Sequence, residues 1–148
     1  MDSLESLSYP EDEAASRDTL AYRLKNAVEH FMVAKDEGGK LIGFVNGTAS
    51  DEDQLTHQSM FKHVPNGKSL NIHSVVVVPE LRRKGIALQM LLKYIQTQKQ
   101  ETSIQKIFLL TKSHLQNFYM KAGFTLVGPS AVHHGQEQWF EMTMTLRD

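Results

Sequence analysis

The clearest pattern of apolar and polar positions in this chain runs from Leu70 to Ile95. An apolar, β-branched run over 72–78 predicts a buried strand, and Pro79 ends it because proline has no N–H to donate to a ladder. After a short basic turn, apolar side chains recur at the spacing of one α-helical face, at Ile86, Leu88, Leu91, Leu92 and Ile95. The stretch therefore predicts a strand, a turn and an amphipathic helix.

The remaining patterns predict further strands and helices of one mixed α/β (α+β) domain that covers residues 1–148. Strands are predicted over 31–35, 40–48, 104–110, 124–127 and 138–145, and helices over 17–28 and 114–121. The first of these helices takes its apolar face from Leu20, Leu24, Ala27 and Val28. No internal repeat or low-complexity linker divides the chain.

The turn between the central strand and helix carries the first sign of chemistry, since it reads Arg82-Arg83-Lys84-Gly85. A glycine turn at a helix N-terminus exposes backbone N–H groups where the helix dipole favours negative charge, which indicates a phosphate or pyrophosphate site. A nucleotide P-loop fits poorly because no Lys-Ser or Lys-Thr pair follows Gly85, and the three-glycine dinucleotide fingerprint is missing. The competing interpretation is an ordinary solvated charge run.

Composition narrows the class of protein further. The net charge of −1 gives no general attraction to nucleic acid or anionic membranes, and three basic residues in one turn would supply few phosphate contacts. The chain has no cysteine, which excludes disulfides, thiolate metal sites and a cysteine nucleophile. No apolar run approaches the roughly 20 residues of a membrane span, and the N-terminus lacks a signal-peptide pattern. We therefore expect a cytoplasmic protein with no membrane or nucleic-acid partner.

The segment Arg82-Arg83-Lys84-Gly85-Ile86-Ala87 fits the acyl-CoA-binding pattern Arg/Gln-x-x-Gly-x-Gly/Ala of the GCN5-related N-acetyltransferase (GNAT) superfamily. Within it the chain most resembles the arylalkylamine (serotonin) N-acetyltransferases and their fungal relatives, from about Ser6 to the C-terminus. The segments that carry this resemblance are 41–48, 55–60 and 117–124.

The resemblance implies the fold of that superfamily. It consists of a central mixed, mostly antiparallel sheet flanked by helices, with a V-shaped split between the strands that end near Val78 and Leu110. Members usually have a strand before the first helix. This chain begins almost at that helix, which implies either a truncated N-terminus or a fold without the first edge strand.

The resemblance also implies acetyl-CoA as cosubstrate, no metal, and direct attack of an amine on the thioester in a ternary complex. His73 is the expected base, because a histidine pKa of about 6.5 allows proton uptake near neutral pH. Asn71 stands where the family has the first histidine of a pair, and its amide is expected to hold a water in a relay to His73. The alternative for His73 is a half-buried strand histidine with a hydrogen-bonded ring.

Tyr119 is the expected acid, since it matches the family tyrosine beside the CoA sulfur and a phenol stays protonated at neutral pH. The alternative is an aromatic side chain packed on Phe118. The expected cosubstrate contacts are backbone N–H groups of the central strand, the basic turn and the helix start, together with Tyr119. They comprise Val75, Val76, Val77, Arg82, Arg83, Lys84, Gly85, Ile86, Ala87 and Leu88.

The resemblance implies the primary amine of a small molecule as the acceptor, and an arylalkylamine in particular. Tyr9, Pro10, Phe61 and Leu110 match or extend the walls of the family's acceptor pocket. The acidic run 11–13 suits a polyamine instead, and peptide N-acetylation or a non-catalytic acyl-CoA-binding module remain alternatives, the last because of Asn71. His133-His134 is weak evidence for a metal and is interpreted as surface. We expect a monomer or a weak dimer.

Overall fold

The fold is a twisted mixed sheet with helices on both faces, seen in a computed structural model that describes residues 17–51, 63–82, 84–130 and 138–147. Among these residues the strands occur in the order β1-β2-β3-β4-β6-β5. The strands are β1 Phe31–Lys35, β2 Leu41–Ser50, β3 Ser69–Val77, β4 Lys106–Thr111, β5 Thr125–Pro129 and β6 Phe140–Thr145. The α-helices are α1 Arg17–Asn26, α2 Ile86–Glu101 and α3 Gln116–Lys121.

In the described part of the chain, short 3-10 helices connect these elements at Val28–His30, Pro79–Leu81 and Ser113–Leu115. The second of them begins at the proline that the sequence places after the central strand. Ser113 is the first residue of the third and its side chain caps no helix, so the predicted helix over 114–121 is shorter than expected. The possible strand before α1 lies outside the described residues.

The split predicted for the sheet is present between β3 and β4. These two strands form the one parallel pair among the described strands, and their ladder runs only from Ser69 opposite Lys106 to Ile72 opposite Leu109. Beyond this point β3 continues against β2 alone, to Val77 opposite Gly43, while β4 continues against β6 alone. The two strands therefore diverge, and the predicted mixed, mostly antiparallel sheet with a V-shaped opening is confirmed.

Helix α2 crosses from β3 to β4 and covers one face of the sheet. Its buried residues are Met90, Leu91, Tyr94 and Gln98. The predicted apolar face was partly wrong, because Leu92 is 44% exposed. The same correction applies to the first helix, which ends at Asn26 and leaves Leu24 and Val28 largely exposed.

The pairing of β2 with β3 contains a bulge at His73. Asn46 lies opposite Ser74 and Gly47 lies opposite Ile72, so His73 is an extra residue in β3. Gly47 lets the two strands and α2 approach closely at this point. A Cβ on Gly47 would lie 2.7 Å from the Asn71 carbonyl oxygen and 2.9 Å from Leu70 Cδ1.

A buried polar cluster joins the start of β1 to α2 and to the end of β2. His30 Nδ1 lies 2.6 Å from Gln98 Oε1, while Gln98 Nε2 donates to the Glu29 carbonyl at 2.9 Å. The second histidine ring, His63, packs edge-on against His30 with 5.6 Å between ring centroids. Glu29 Oε1 lies 3.5 Å from His30 Nε2 and 3.6 Å from His63 Nε2. The two histidines thus share one carboxylate.

We expect Gly47→Ala to destabilise the fold by about 2 kcal/mol, because the added methyl group meets a backbone carbonyl that cannot move away. The measurement is urea unfolding at neutral pH. Gly38→Ala is the matched control, since its nearest neighbour is Asp36 Oδ1 at 3.4 Å, and its effect should stay within about 0.5 kcal/mol. Equal stability of the two variants would contradict the close approach at Gly47.

The histidine cluster makes stability depend on pH. Burial lowers the pKa of both His30 and His63, partly opposed by Glu29 and, for His30, by the bond to Gln98. Below about pH 6.5 the unfolded chain therefore binds protons that the folded chain does not, and unfolding free energy is lost as pH falls. Urea unfolding across this range should show a weaker pH dependence in His30→Asn/His63→Asn than in the wild type. Identical slopes would contradict the assignment.

Candidate active site

The free edge of β3 lines one side of the opening. Val78 N–H donates to the Ile42 carbonyl at 2.9 Å, so Val78 faces β2. Because backbone groups alternate along a strand, Val76 also faces β2 whereas Val75 and Val77 present their N–H and C=O groups to the opening. The sequence predicts acyl-CoA contacts at Val75, Val76 and Val77, and of these three Val76 has its backbone groups directed to β2 and not to the opening. The Val76 side chain packs in the core on the α1 side.

The N-terminus of α2 lies just beyond the end of β3. Gly85 is the N-cap with φ 80° and ψ 1°, a left-handed conformation that glycine adopts without strain. The first helical hydrogen bond runs from Gln89 N–H to the Gly85 carbonyl at 3.1 Å. The helix itself leaves the N–H groups of Ile86, Ala87 and Leu88 without intrahelical partners. This end is consequently suited to an anionic group.

The basic turn contributes differently at each position. Arg82 turns back toward the strand, and its Nε donates to the Val77 carbonyl at 3.4 Å. Lys84 is exposed beside the N-cap. The side chain of Arg83 lies outside what the structure describes. The turn therefore places an exposed cation, Lys84, next to the N–H groups of α2.

His73 lies on the α1 side of the sheet, with Nε2 2.8 Å from Thr48 Oγ1. Side chains alternate between the two faces along β2. A Cβ on Gly47 would point to the α2 side, toward Tyr94, so the side chain of the next residue, Thr48, points to the α1 side. Asn71 lies opposite Thr48 in the ladder, and its Nδ2 donates weakly to the Thr48 carbonyl at 3.4 Å. The predicted base, His73, and the predicted relay residue, Asn71, are thus both in contact with Thr48.

Tyr119 approaches from the other face of the sheet. It belongs to the core cluster that includes Val77 and Met90, and its ring packs edge-on against Phe118 at 5.0 Å and Phe124 at 5.9 Å between centroids. Burial raises the pKa of the Tyr119 phenol, which keeps it protonated. His73 and Tyr119 therefore lie on opposite faces, and the opening between β3 and β4 connects those faces.

The other predicted residues are placed as follows. Leu110 is half-buried at the end of β4, where the strand pairs only with β6. Tyr9, Pro10, Phe61, the acidic run 11–13 and His133-His134 lie outside the described residues. Within the described part of the chain, no helix is long and apolar enough to cross a membrane, and no group of three or more acidic or histidine side chains is arranged to hold a metal ion.

Sequence reasoning missed two residues near this site. Thr48 is an ordinary strand threonine by sequence, and its contact with His73 depends on the bulge. Lys112 directly follows β4 and is buried, with Nζ 5.7 Å from the centroid of the Trp139 ring. No spacing in the sequence links either residue to its partner.

Comparisons with known proteins agree with this architecture. Residues 1–124 match the family described as Acetyltransferase (GNAT) family. Serotonin N-acetyltransferase from Mesocricetus auratus is 31% identical over 111 residues, which are 75% of this chain and 54% of the relative. The chain thus spans about half the length of the curated relatives that it matches.

Solved structures resemble the fold over nearly the whole chain. The GphF GNAT-like decarboxylase in complex with isobutyryl-CoA has a TM-score of 0.83 at 15% identity, covering 99% of this chain and 93% of that one. A spermidine N-acetyltransferase chimera of the Vibrio cholerae enzyme SpeG and hSSAT has a TM-score of 0.69 at 18% identity, covering 98% and 87%. At these identities the likeness concerns the fold.

Replacing the Thr48 hydroxyl should alter the His73 ring without unfolding the protein. In Thr48→Val the His73 Nε2 loses its contact with the hydroxyl, so we expect the ring nitrogen shifts of His73 to change in NMR spectra recorded at fixed pH. Thr48→Ser retains the hydroxyl and is the matched control, with shifts close to the wild type. His73 signals that are the same in all three proteins would contradict the contact.

Proposed function

We propose that this chain, which belongs to the acetyltransferase (GNAT) family, transfers an acetyl group from acetyl-CoA to the primary amine of a small arylalkylamine. The observation that carries the proposal is the opening between β3 and β4, with the free edge of β3 on one side and the uncapped N-terminus of α2 at its end. This arrangement offers aligned N–H donors to a long ligand that has amide groups and a pyrophosphate.

The cosubstrate lies along the free edge of β3 in this proposal. Its pantetheine amides exchange hydrogen bonds with the backbone of Val75 and Val77, as an added strand would. Its pyrophosphate accepts from the N–H groups at the start of α2, where Lys84 adds charge. The thioester then lies near the level of His73, at the point where β3 and β4 separate.

His73 takes the proton that an ammonium acceptor must lose before its nitrogen can attack. The amine nitrogen forms a bond with the thioester carbonyl carbon, and the resulting tetrahedral centre expels the CoA thiolate as the C–S bond breaks. The nitrogen, positively charged after the attack, releases its second proton to solvent and becomes the amide N–H. Tyr119 donates its phenolic proton to that thiolate from the opposite face. Burial raises the pKa of this phenol, so Tyr119 is still protonated when the C–S bond breaks and offers its O–H to the departing sulfur.

The arylalkylamine is favoured over other acceptors by the similarity to a protein named serotonin N-acetyltransferase. The second candidate is a polyamine, which the acidic run 11–13 and the resemblance in fold to a spermidine N-acetyltransferase favour. A peptide amine and an acyl-CoA-binding module without turnover are the remaining alternatives. A substrate panel separates them.

The test measures CoA release from acetyl-CoA with tryptamine, serotonin, phenylethylamine, spermine and a lysine peptide. We expect turnover with an arylalkylamine and intersecting initial-rate lines, the pattern of a ternary complex. Turnover of spermine alone would retain the chemistry and change the acceptor. Acetyl-CoA binding without turnover of any amine would favour the binding module, and absence of binding would refute the proposal.

Tyr119→Phe should lower kcat by about 100-fold with little change in the KM for acetyl-CoA, because it removes the proton donor and keeps the ring. Calorimetric binding of acetyl-CoA serves as the control for an intact cosubstrate site. An unchanged kcat would exclude Tyr119 from the proton transfer.

A further inference from the structure

The peptide group between Thr48 and Ala49 is held on both sides. Its carbonyl accepts from Asn71 Nδ2 at 3.4 Å, and its N–H donates to His63 Nδ1 at 3.0 Å. The side chain of Thr48 in turn contacts His73 Nε2 at 2.8 Å. His63 is thereby connected to the proposed base through one peptide unit and one side chain, although it lies outside the opening.

His63 is fixed by contacts from several elements. The backbone N–H of His63 donates to Tyr22 Oη of α1 at 3.2 Å. The backbone N–H of the next residue, Val64, donates to the Ala49 carbonyl at 2.8 Å. These bonds attach residues 63–64 to the edge of β2 beyond the start of β1, which pairs with β2 only up to Asn46. The His63 ring is buried, so its position is well determined by packing.

The bond from Ala49 N–H fixes the protonation state of His63. Nδ1 is an acceptor in this bond, so the ring is neutral and its proton is on Nε2, which faces Glu29 Oε1 at 3.6 Å. This tautomer also leaves no ring nitrogen of His63 free to ligate a metal. A second proton, on Nδ1, would place the ring N–H of His63 opposite the backbone N–H of Ala49 and so break the hydrogen bond between them.

The charged and titratable groups that face His63 are few within the described residues. Glu29 comes from the 3-10 helix before β1, His30 from the same turn, and Tyr22 from α1. His30 differs from His63, because its Nδ1 faces the oxygen of Gln98 and must donate. Protonation of His30 therefore breaks no bond, and His63 is the member of the pair whose bond is proton-sensitive.

We propose that His63 is a positioning residue for the proposed reaction and that it is controlled by protons. Neutral His63 holds the Thr48–Ala49 peptide, and through Thr48 it orients His73; protonated His63 releases the peptide. This inference rests on the proposed function only for its effect on turnover. The hydrogen bond itself is testable without any substrate.

The experiment follows amide hydrogen exchange of Ala49 by NMR from about pH 7.5 to about pH 4.5, corrected for the intrinsic exchange rate. In the wild type the protection of Ala49 should fall by about 10-fold on acidification, the size expected for one lost hydrogen bond. The Leu91 amide in α2 reports global opening and should lose less. Parallel loss at Ala49 and Leu91 would overturn the local release.

Two variants make the test specific to His63. His63→Asn keeps an acceptor near the position of Nδ1 and cannot be protonated, so the extra loss at Ala49 should disappear. Glu29→Gln removes the carboxylate that favours the charged ring, so the midpoint of the wild-type transition should move to lower pH. If the pH profile of Ala49 exchange is the same in the wild type and in both variants, the proposal is overturned. If His63→Asn fails to fold, an unchanged profile in Glu29→Gln overturns it alone.

Turnover then tests the link to His73. With the best amine of the panel, kcat/KM of the wild type should fall more steeply toward acid pH than that of His63→Asn, while KM for acetyl-CoA stays similar. If the pH dependence of kcat/KM is the same in both proteins while Ala49 exchange behaves as expected, the positioning role is overturned and only the proton-sensitive hydrogen bond is supported. Expected exchange behaviour with no turnover of any amine would instead refute the proposed function.

Discussion

The ladder between β3 and β4 ends early, and the geometry of the candidate active site follows from this end. After Ile72 and Leu109 the two strands separate, so the N–H and C=O groups of Val75 and Val77 do not bond to β4 as they would in a regular sheet. Buried N–H and C=O groups require partners, and an opening of this kind is therefore suited to a ligand that supplies them. The helix that crosses between the same strands begins at the end of this opening, which adds further unpaired N–H groups in line.

The bulge in β3 complements this separation. One additional residue at His73 turns its ring toward Thr48 on the α1 side, while Tyr119 remains in the core on the α2 side. An imidazole and a phenol thus lie on the two faces of one sheet. In the proposed reaction the nucleophile approaches the carbonyl carbon and the leaving group departs from it in different directions, which a base on one face and an acid on the other suit.

Local features of the sequence predicted the centre of the fold well. The β-branched run, Pro79 and Gly85 each impose their structure through neighbouring residues, so strand, stop and helix start were all found. Gln98 shows why the rest was harder: it is fully buried because His30 and Glu29 bind its amide, and those residues are far away in the sequence. The face of α2 was misjudged at Leu92 for the same reason. The bulge at His73 and the contact of Thr48 arise from strand register, which no single segment specifies.

The four residue pairs between β3 and β4 also form the seam between two halves of the sheet, β1–β3 and β4–β6. The seam is short, and α2 is the helix that connects its two strands, β3 and β4, in the sequence. Any ligand that touches both sides of the opening binds the folded chain and not the unfolded one, and so raises the melting temperature by an amount that grows with the logarithm of the free ligand concentration. For such a protein the supply of ligand in its surroundings is also a determinant of how long the folded chain survives.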